Sequence, residues 1–535
     1  MLGLHAISGA AISALPGVYA FGAVAAELAI EDSEGGAAIF AASTEFITRS
    51  SDTPANTPFL GTLLRPVKFS RSLINSDGFG KISVGYGEIE LINAEADYDS
   101  IVEGFGVDGR RIVLKAGART DVRTVAPYAE FVTVADLQAT GWQADDEVLR
   151  IAVRDKSYLL EVPTQPNVYD GTGGLNGYAD LVGKRKPLAL GDGASGFGAN
   201  ASPVLVIPAE LVYHLNDGAV LTIPAVYDSG FELTATSDYA TLALLRAATL
   251  VAGQYATCLA LGCLRLGGAA NGKITCDYTT TAQTLADIVR AVVENAADVV
   301  AADFDDATFD LLNVLKPAAM RYYLDENSDE TLAQTLANLM GLTGWAGFTR
   351  LGYFEVRRFE GPGIAPVETF DQYDLVSIQR ESLPSGIDPI VQRIRVTGAY
   401  NFTPQTGTEL VGSVTENDPD RASYLAQPYR LASTSDDEAT AILANHPLAK
   451  DPEPVVLYFA DEADAQDEAD RLFALYGTDR ALYRFVVKDR AFIVDVGDTI
   501  SLTYTRWDLS AGKFGSVVEV DEDIEANETT IAVLI

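Results

Sequence analysis

Toward its C-terminus the chain alternates apolar and polar residues, and this spacing constrains the fold more than any other feature. Val494, Val496, Ile500, Leu502 and Tyr504 alternate with polar neighbours, with Gly497-Asp498 placed as a turn. A second run, Phe514 to Val520, leads into the acidic stretch Asp521–Asp523, which reads as another turn, and Thr529–Ile535 closes the sequence as a further β-rich run. A period of two puts alternate side chains on opposite faces of a strand and cannot form one face of a helix. The segment is therefore expected to form antiparallel strands with one buried face. Because the last residues, Val533-Leu534-Ile535, are apolar, they are expected to pair in a sheet and not to trail as a loose tail. Nothing in this stretch has the make-up of a catalyst, so it reads as framework.

At 535 residues the chain exceeds what one core usually supports, so two to four domains are expected. Its 75 acidic against 38 basic residues give a net charge of −37. That balance argues against specific nucleic-acid binding through a basic phosphate-contacting surface and against docking on an anionic membrane. It suits solubility, a basic partner, a conduit past which a polyanion slides, or simply an acidic host proteome. Met1 to Ile30 is apolar but has no Lys or Arg ahead of the apolar run, is broken by Pro16-Gly17, and is followed by Glu31 and Asp32. It fits neither a secretory signal nor a membrane span. It is expected to belong to the fold or to an assembly interface, with no membrane anchor.

The candidate chemical sites each have a plainer explanation. Cys258, Cys263 and Cys276 are odd in number, and the only histidines are His5, His214 and His446, so no zinc set is complete. Buried, reduced thiols and assembly in a reducing cytoplasm are expected. Asp97, Asp99 and Asp108 invite a calcium reading, but the register of an EF-hand loop is absent and a solvated hairpin loop is expected. Gly171, Gly173, Gly174 and Gly177 lack the GK[ST] of a phosphate-binding loop. Gly183-Lys184-Arg185-Lys186-Pro187 is the densest basic cluster. It reads as a surface turn, with contact to an acidic neighbouring subunit as the functional alternative. The Asp461–Asp470 carboxylates read as the solvated face of a helix. No histidine has a triad setting and no GxSxG occurs. No catalytic, cofactor-binding or metal-binding residue is therefore assigned, no cofactor is expected, and the chain does not read as an enzyme. The alternative from another class is a carbohydrate-active enzyme, which needs two carboxylates about 5–10 Å apart. No pair stands out, and Trp142, Trp345 and Trp507 are the only tryptophans for sugar platforms.

The fold class expected is α+β and β-dominated, with antiparallel β-rich domains flanking a small α/β domain. The boundaries read as 1–278, a β-rich region with inserted loops; 279–365, a helix-and-hairpin domain; and 366–535, a second β-rich domain with inserted helices. The first region carries a Ser76-Asp77-Gly78 turn, strands near 204–207 and 219–223, and strands at 254–266 and 273–278 flanking a glycine turn. In the second, Leu285, Ile288, Val289, Val292 and Val293 follow helical spacing, and Asp303 to Ala319 continues in helical steps. Asp329 to Met340 is a helix capped by Ser328 or Asp329 and closed by Gly341. A hairpin, 345–349 with 353–358, follows. Gly361-Pro362-Gly363 is the clearest linker. Beyond it, Pro389 to Tyr400 reads as a strand, and Ser433–His446 and Asp461–Tyr476 as helices, the latter with its acidic residues outside.

Three passages, SDGFGKISVGYGEIELINAEADYDSIVEGFGVDGRRIVLKAG (76–117), ETLAQTLANLMGLTGWAGFTRLGYFEVRRF (330–359) and FIVDVGDTISLTYTRWDLSAGKFGSVVEV (492–520), carry a resemblance. In this order the chain resembles the tail hub or tail-tip (baseplate hub) proteins of tailed phages and phage-derived particles. The resemblance implies antiparallel tube-like β-barrels in the two β-rich domains and a structural virion protein at the tail tip, assembled in the host cytoplasm, with another tail-tip component (a distal tail or receptor-binding protein) as the alternative. It implies a homotrimeric ring joining a distal tail or tail tube protein to a central fibre or spike, lining the DNA ejection channel and meeting the C-terminus of a tape measure protein. Unlike the large hubs, the chain ends directly after the closing barrel, so any receptor-binding or lytic role is expected of another subunit.

Overall fold

The computed structural model describes residues 21–32, 35–75, 78–118, 127–388, 390–488 and 490–535. Two large sheets organise it. The first has seven antiparallel strands in the order Gly35–Ala42, Phe21–Asp32, Arg111–Ala118, Val132–Ala144, Val148–Arg154, Glu88–Ile92 and Leu63–Arg65. Alternate residues such as Ile112 and Leu114, or Leu149 and Ile151, point into one core, as half-buried strands require.

The second sheet is built mainly from the C-terminal region: Glu368–Phe370, Thr499–Leu502, Lys513–Asp523, Glu528–Leu534, Leu482–Lys488 and Leu375–Glu381. Its long strand Lys513–Asp523 shares one edge between two partners. Residues 513–516 pair with Thr499–Leu502, and residues 519–523 pair with Lys68–Asn75. Lys68–Asn75 in turn pairs with Gly78–Gly85. A hairpin from the first expected region thus completes the sheet of the last, and Leu73 and Phe79 share a core with Phe485 and Val533.

Between these sheets lie the helices Leu285–Ala296, Asp306–Leu315 and Leu332–Met340, with the hairpin Gly344–Phe348 and Phe354–Arg358. Thr284 caps the first helix by accepting a hydrogen bond from the Asp287 N–H, and its five expected apolar residues are all buried. The helix Glu462–Tyr476 covers a three-stranded sheet of Arg430–Ser433, Arg395–Gly398 and Val455–Phe459. The fold is α+β and β-dominated, with a half-barrel sheet among several others, as the alternation in the sequence implies.

Several expectations need correction. Val494 and Val496 lie in a turn and not a strand: the Asp495 carboxylate accepts the Val496 N–H at 2.8 Å, and its own N–H donates to Asp498 at 2.9 Å. Asp521–Asp523 is strand, because Lys68–Asn75 pairs with it, and the turn falls on residues 524–527. The Leu332–Met340 helix is capped by Thr331 in a capping box with Gln334. Ser328 is taken up by the preceding turn, where its hydroxyl accepts the Asp325 N–H. Residues 219–223 form no strand; Thr222 makes an isolated bridge to Thr279. Gln254–Cys258 pairs with Cys263–Leu266, whereas Ile274–Cys276 pairs with Val226–Asp228, so the glycine turn between them joins two different sheets. Among the described residues from 390 to 400, only Arg395–Gly398 is strand. The Ser76-Asp77 turn residues and most of Met1 to Ile30 lie outside the described residues.

Candidate functional site

The hairpin, the α/β block and the C-terminal turn meet in a buried cluster of charges. Phe69, Arg71 and Leu73 occupy successive inward positions of one strand, so Arg71 projects where an apolar residue would be expected. Its guanidinium donates to Asp495 Oδ2 at 2.5 Å and to Glu355 Oε1 at 2.5 Å. Glu355 is fully buried on the strand Phe354–Arg358 and also accepts from Trp345 Nε1 at 3.2 Å and Arg357 Nε at 2.8 Å. Burial pushes the Glu355 carboxyl up, but Arg357 and Arg71 outweigh it and hold it below the usual carboxylate range. Burial likewise opposes the charge on Arg71, and Asp495 and Glu355 outweigh it.

Two carboxyls of this region are displaced the other way. Burial, then the neighbouring Asp495, pushes Asp498 up to about 6. Burial pushes Glu522 up to about 7, although it accepts the Phe492 N–H at 2.8 Å and the Thr529 hydroxyl at 3.1 Å. Arg350 packs over the Phe492 ring with 4.6 Å to its centroid and donates to the Val134 carbonyl of the seven-stranded sheet. The cluster therefore ties both large sheets to the central block. Chemically it is suited to holding: the Glu355 and Asp495 carboxylates are each taken up by an arginine.

The residues singled out in the sequence do not converge. Asp99 accepts from Asn93 Nδ2 at 2.8 Å within a short loop and helix, and among the described residues no group of three or more His, Cys, Asp or Glu could hold a metal ion. Cys258 and Cys263 face each other across paired strands; all three cysteines are free and buried, and burial pushes their thiols up. His214 is buried with its Nδ1 2.9 Å from the Tyr169 hydroxyl, and burial pushes it down to about 4. His446 lies past the end of a helix far along the chain, and His5 lies outside the described residues. Trp142, Trp345 and Trp507 sit in three different elements, so they form no shared platform.

The glycine loop forms short helical turns around 174–176 and 179–181. In the basic cluster, Lys184 donates to Asn327, Arg185 to the Gln165 carbonyl and Lys186 to Asn176. Those cations are half-buried and engaged within the chain. Asp461 caps its helix, and most of the acidic residues after it face outward. Glu468 departs from that expectation: it is buried, with Arg471 at 2.7 Å, and is held at about 2, burial being outweighed by Lys316 and Arg471.

The charge cluster was missed in the sequence, yet it left a signal. Arg71 follows Phe69 and precedes Leu73 in period two, and Glu522 continues Val518 and Val520. A charge at an inward strand position demands a buried partner, though nothing local identifies that partner.

No protein-family profile matches the sequence, and no curated protein matches it significantly. Solved structures with some likeness include the 43 kDa tail protein of prophage MuSo2 from Shewanella oneidensis, at 9% identity over 96% of this chain and 98% of that one, with a TM-score of 0.36. The tail protein from Neisseria meningitidis MC58 is 8% identical over 96% of each chain, with a TM-score of 0.37. The prophage tail protein gp18 from Listeria monocytogenes EGD-e is 9% identical over 90% of this chain and 92% of that one, with a TM-score of 0.33. TM-scores this low do not establish a common fold.

Proposed function

We propose that this chain is a structural protein of a phage-like tail tip, a hub whose copies form a ring between the tail tube and a central fibre or spike. One observation supports the reading most. The three passages that resemble hub proteins, far apart in sequence, pack against one another. Gly80 of the first passage lies so close to the second that a Cβ there would stand 2.4 Å from the Leu342 carbonyl oxygen, and its φ of +144° suits glycine. Trp345 of the second packs against Gly497 of the third, where a Cβ would stand 3.0 Å from the indole. Arg71, just ahead of the first passage, bonds Glu355 of the second and Asp495 of the third.

Such a junction makes one rigid body from two sheet systems, which a load-bearing ring needs. In this reading three copies assemble with distal tail or tail tube protein on one face and fibre or spike on the other. Contacts between copies cover sheet edges such as Leu375–Glu381, which pairs on one side alone among the described strands. The tape measure C-terminus occupies the lumen, and the charge of −37 keeps the channel wall from adhering to DNA during ejection. The role is structural, with no catalytic step assigned to it. Antibody labelling of the particle that carries this chain tests the location. Label at the tail tip is expected; label on the capsid, along the whole tube, or only on unassembled protein contradicts the reading.

A further inference from the structure

We propose that the groove beside the Asp306–Leu315 helix docks a segment of a different protein that presents apolar side chains together with a lysine or arginine. The inference stands independently of the hub reading. The helix has two apolar faces where one suffices. Phe309 and Leu312 are buried in the core, as an amphipathic helix requires. Leu311, Val314 and Leu315, at the i, i+3, i+4 spacing of a single face, are exposed, Val314 by 76%. Across the groove, the segment after the hairpin contributes Ala365 and the partly exposed Val367. Scattered exposed apolar residues are ordinary, but two apolar walls facing one cleft mark an interaction surface. Leu311, Leu315 and Val367 line one cavity of about 300 Å³, and Trp345 lines it too.

The charges in that cavity select the occupant. Its cations are already engaged: Arg357 Nε is 2.8 Å from Glu355, and Arg358 pairs with Glu360 and Glu468. Asp305 and Asp498 line the same cavity and form no ion pair with any described residue, although Asp498 Oδ2 accepts the Asp495 N–H at 2.9 Å and nearby Arg357 draws both carboxyls down. Both carboxyls are pushed above the usual range, first by burial and then by Glu355 beside Asp305 and Asp495 beside Asp498. An entering cation would relieve that, and an entering carboxylate would aggravate it. A second copy of a chain with net charge −37 is a poor match, so contacts between copies belong elsewhere.

Trp345, 3% exposed, provides the readout in the full-length chain. With Trp142→Phe and Trp507→Phe leaving it the sole indole, its emission is followed while short tryptophan-free peptides are added: one of leucine and arginine, one of leucine and glutamate, and one of serine and arginine. Saturable binding of the Leu/Arg peptide is expected, with the other two about tenfold or more weaker. Leu311→Glu, a change at an exposed position that lines the cavity, is expected to weaken the Leu/Arg peptide by a similar factor, and Asp498→Asn to weaken it further. No saturable binding, equal binding of the Leu/Glu or Ser/Arg peptide, or binding indifferent to Leu311→Glu overturns the proposal.

Discussion

Arg71 and Asp495 lie 424 residues apart in the chain and are joined by a hydrogen bond of 2.5 Å in the folded protein. That bond, with the one from Arg71 to Glu355, closes the contact between the N-terminal hairpin, the central block and the C-terminal sheet. A buried ion pair gains little over an apolar replacement of the whole group, but removing one partner strands the charges it neutralised.

Arg71→Ala should therefore destabilise the protein by about 3–5 kcal/mol, because Asp495 remains buried without the guanidinium it pairs with and Glu355 keeps Arg357 alone. Arg71→Lys should recover part of the loss, since one ammonium cannot reproduce the fork that reaches both carboxylates. Urea unfolding of the three proteins measures this. An Arg71→Ala protein as stable as the parent would show that the cluster does not hold the sheets together.

Glu522 predicts a pH dependence. Its ordinary value is 4.5 and burial pushes it up to about 7, so the folded state binds the proton more tightly than the unfolded state does. The stability contributed by that proton is fully present below about 4.5 and is lost as pH rises through about 7. Glu522→Gln keeps an oxygen for the Phe492 N–H and removes the titration. The variant should be more stable than the parent at pH 8, by on the order of 1–3 kcal/mol. The advantage should shrink towards pH 5. A pH-independent difference in melting temperature between the two proteins would contradict this.

Much of this architecture was legible in the sequence, and the failures share a cause. Thr529–Leu534 pairs as expected, although residues 531–534 are buried on both faces and not one, and the stripe from Leu285 to Val293 is the buried face of its helix. Val494 and Val496 alternate with polar neighbours, yet the side chains of Asp495 and Asp498 bond the local backbone and fold a turn there. Asp521–Asp523 has the composition of a turn, but Lys68 lies 3.7 Å from both Asp521 and Asp523, and strand pairing with residues 68–72 carries the run through. In each case the deciding partner was either a side chain competing for the backbone or a strand hundreds of residues away. The charge cluster was hidden for the second reason: Arg71 and Glu522 betray themselves by position, whereas their partners are set by the tertiary fold.

The closing strand gives a further prediction. Glu528–Leu534 runs between Lys513–Asp523 and Leu482–Lys488, and Ile531, Ala532, Val533 and Leu534 are all buried. Deleting Thr530 to Ile535 unpairs both neighbours and removes several apolar side chains, the larger ones worth about 1.5–3 kcal/mol each. A domain stable by about 5–15 kcal/mol should not survive that. Insoluble protein is expected, and a soluble truncated chain that still assembles would show that the strand is dispensable.

The central claim is a ring of three. Native mass spectrometry of the chain, purified and released intact from its particle, tests it most directly. The account predicts a species of three times the mass of one chain, resistant to dilution once assembled. A monomer in the assembled particle, or a ring of six, would contradict it.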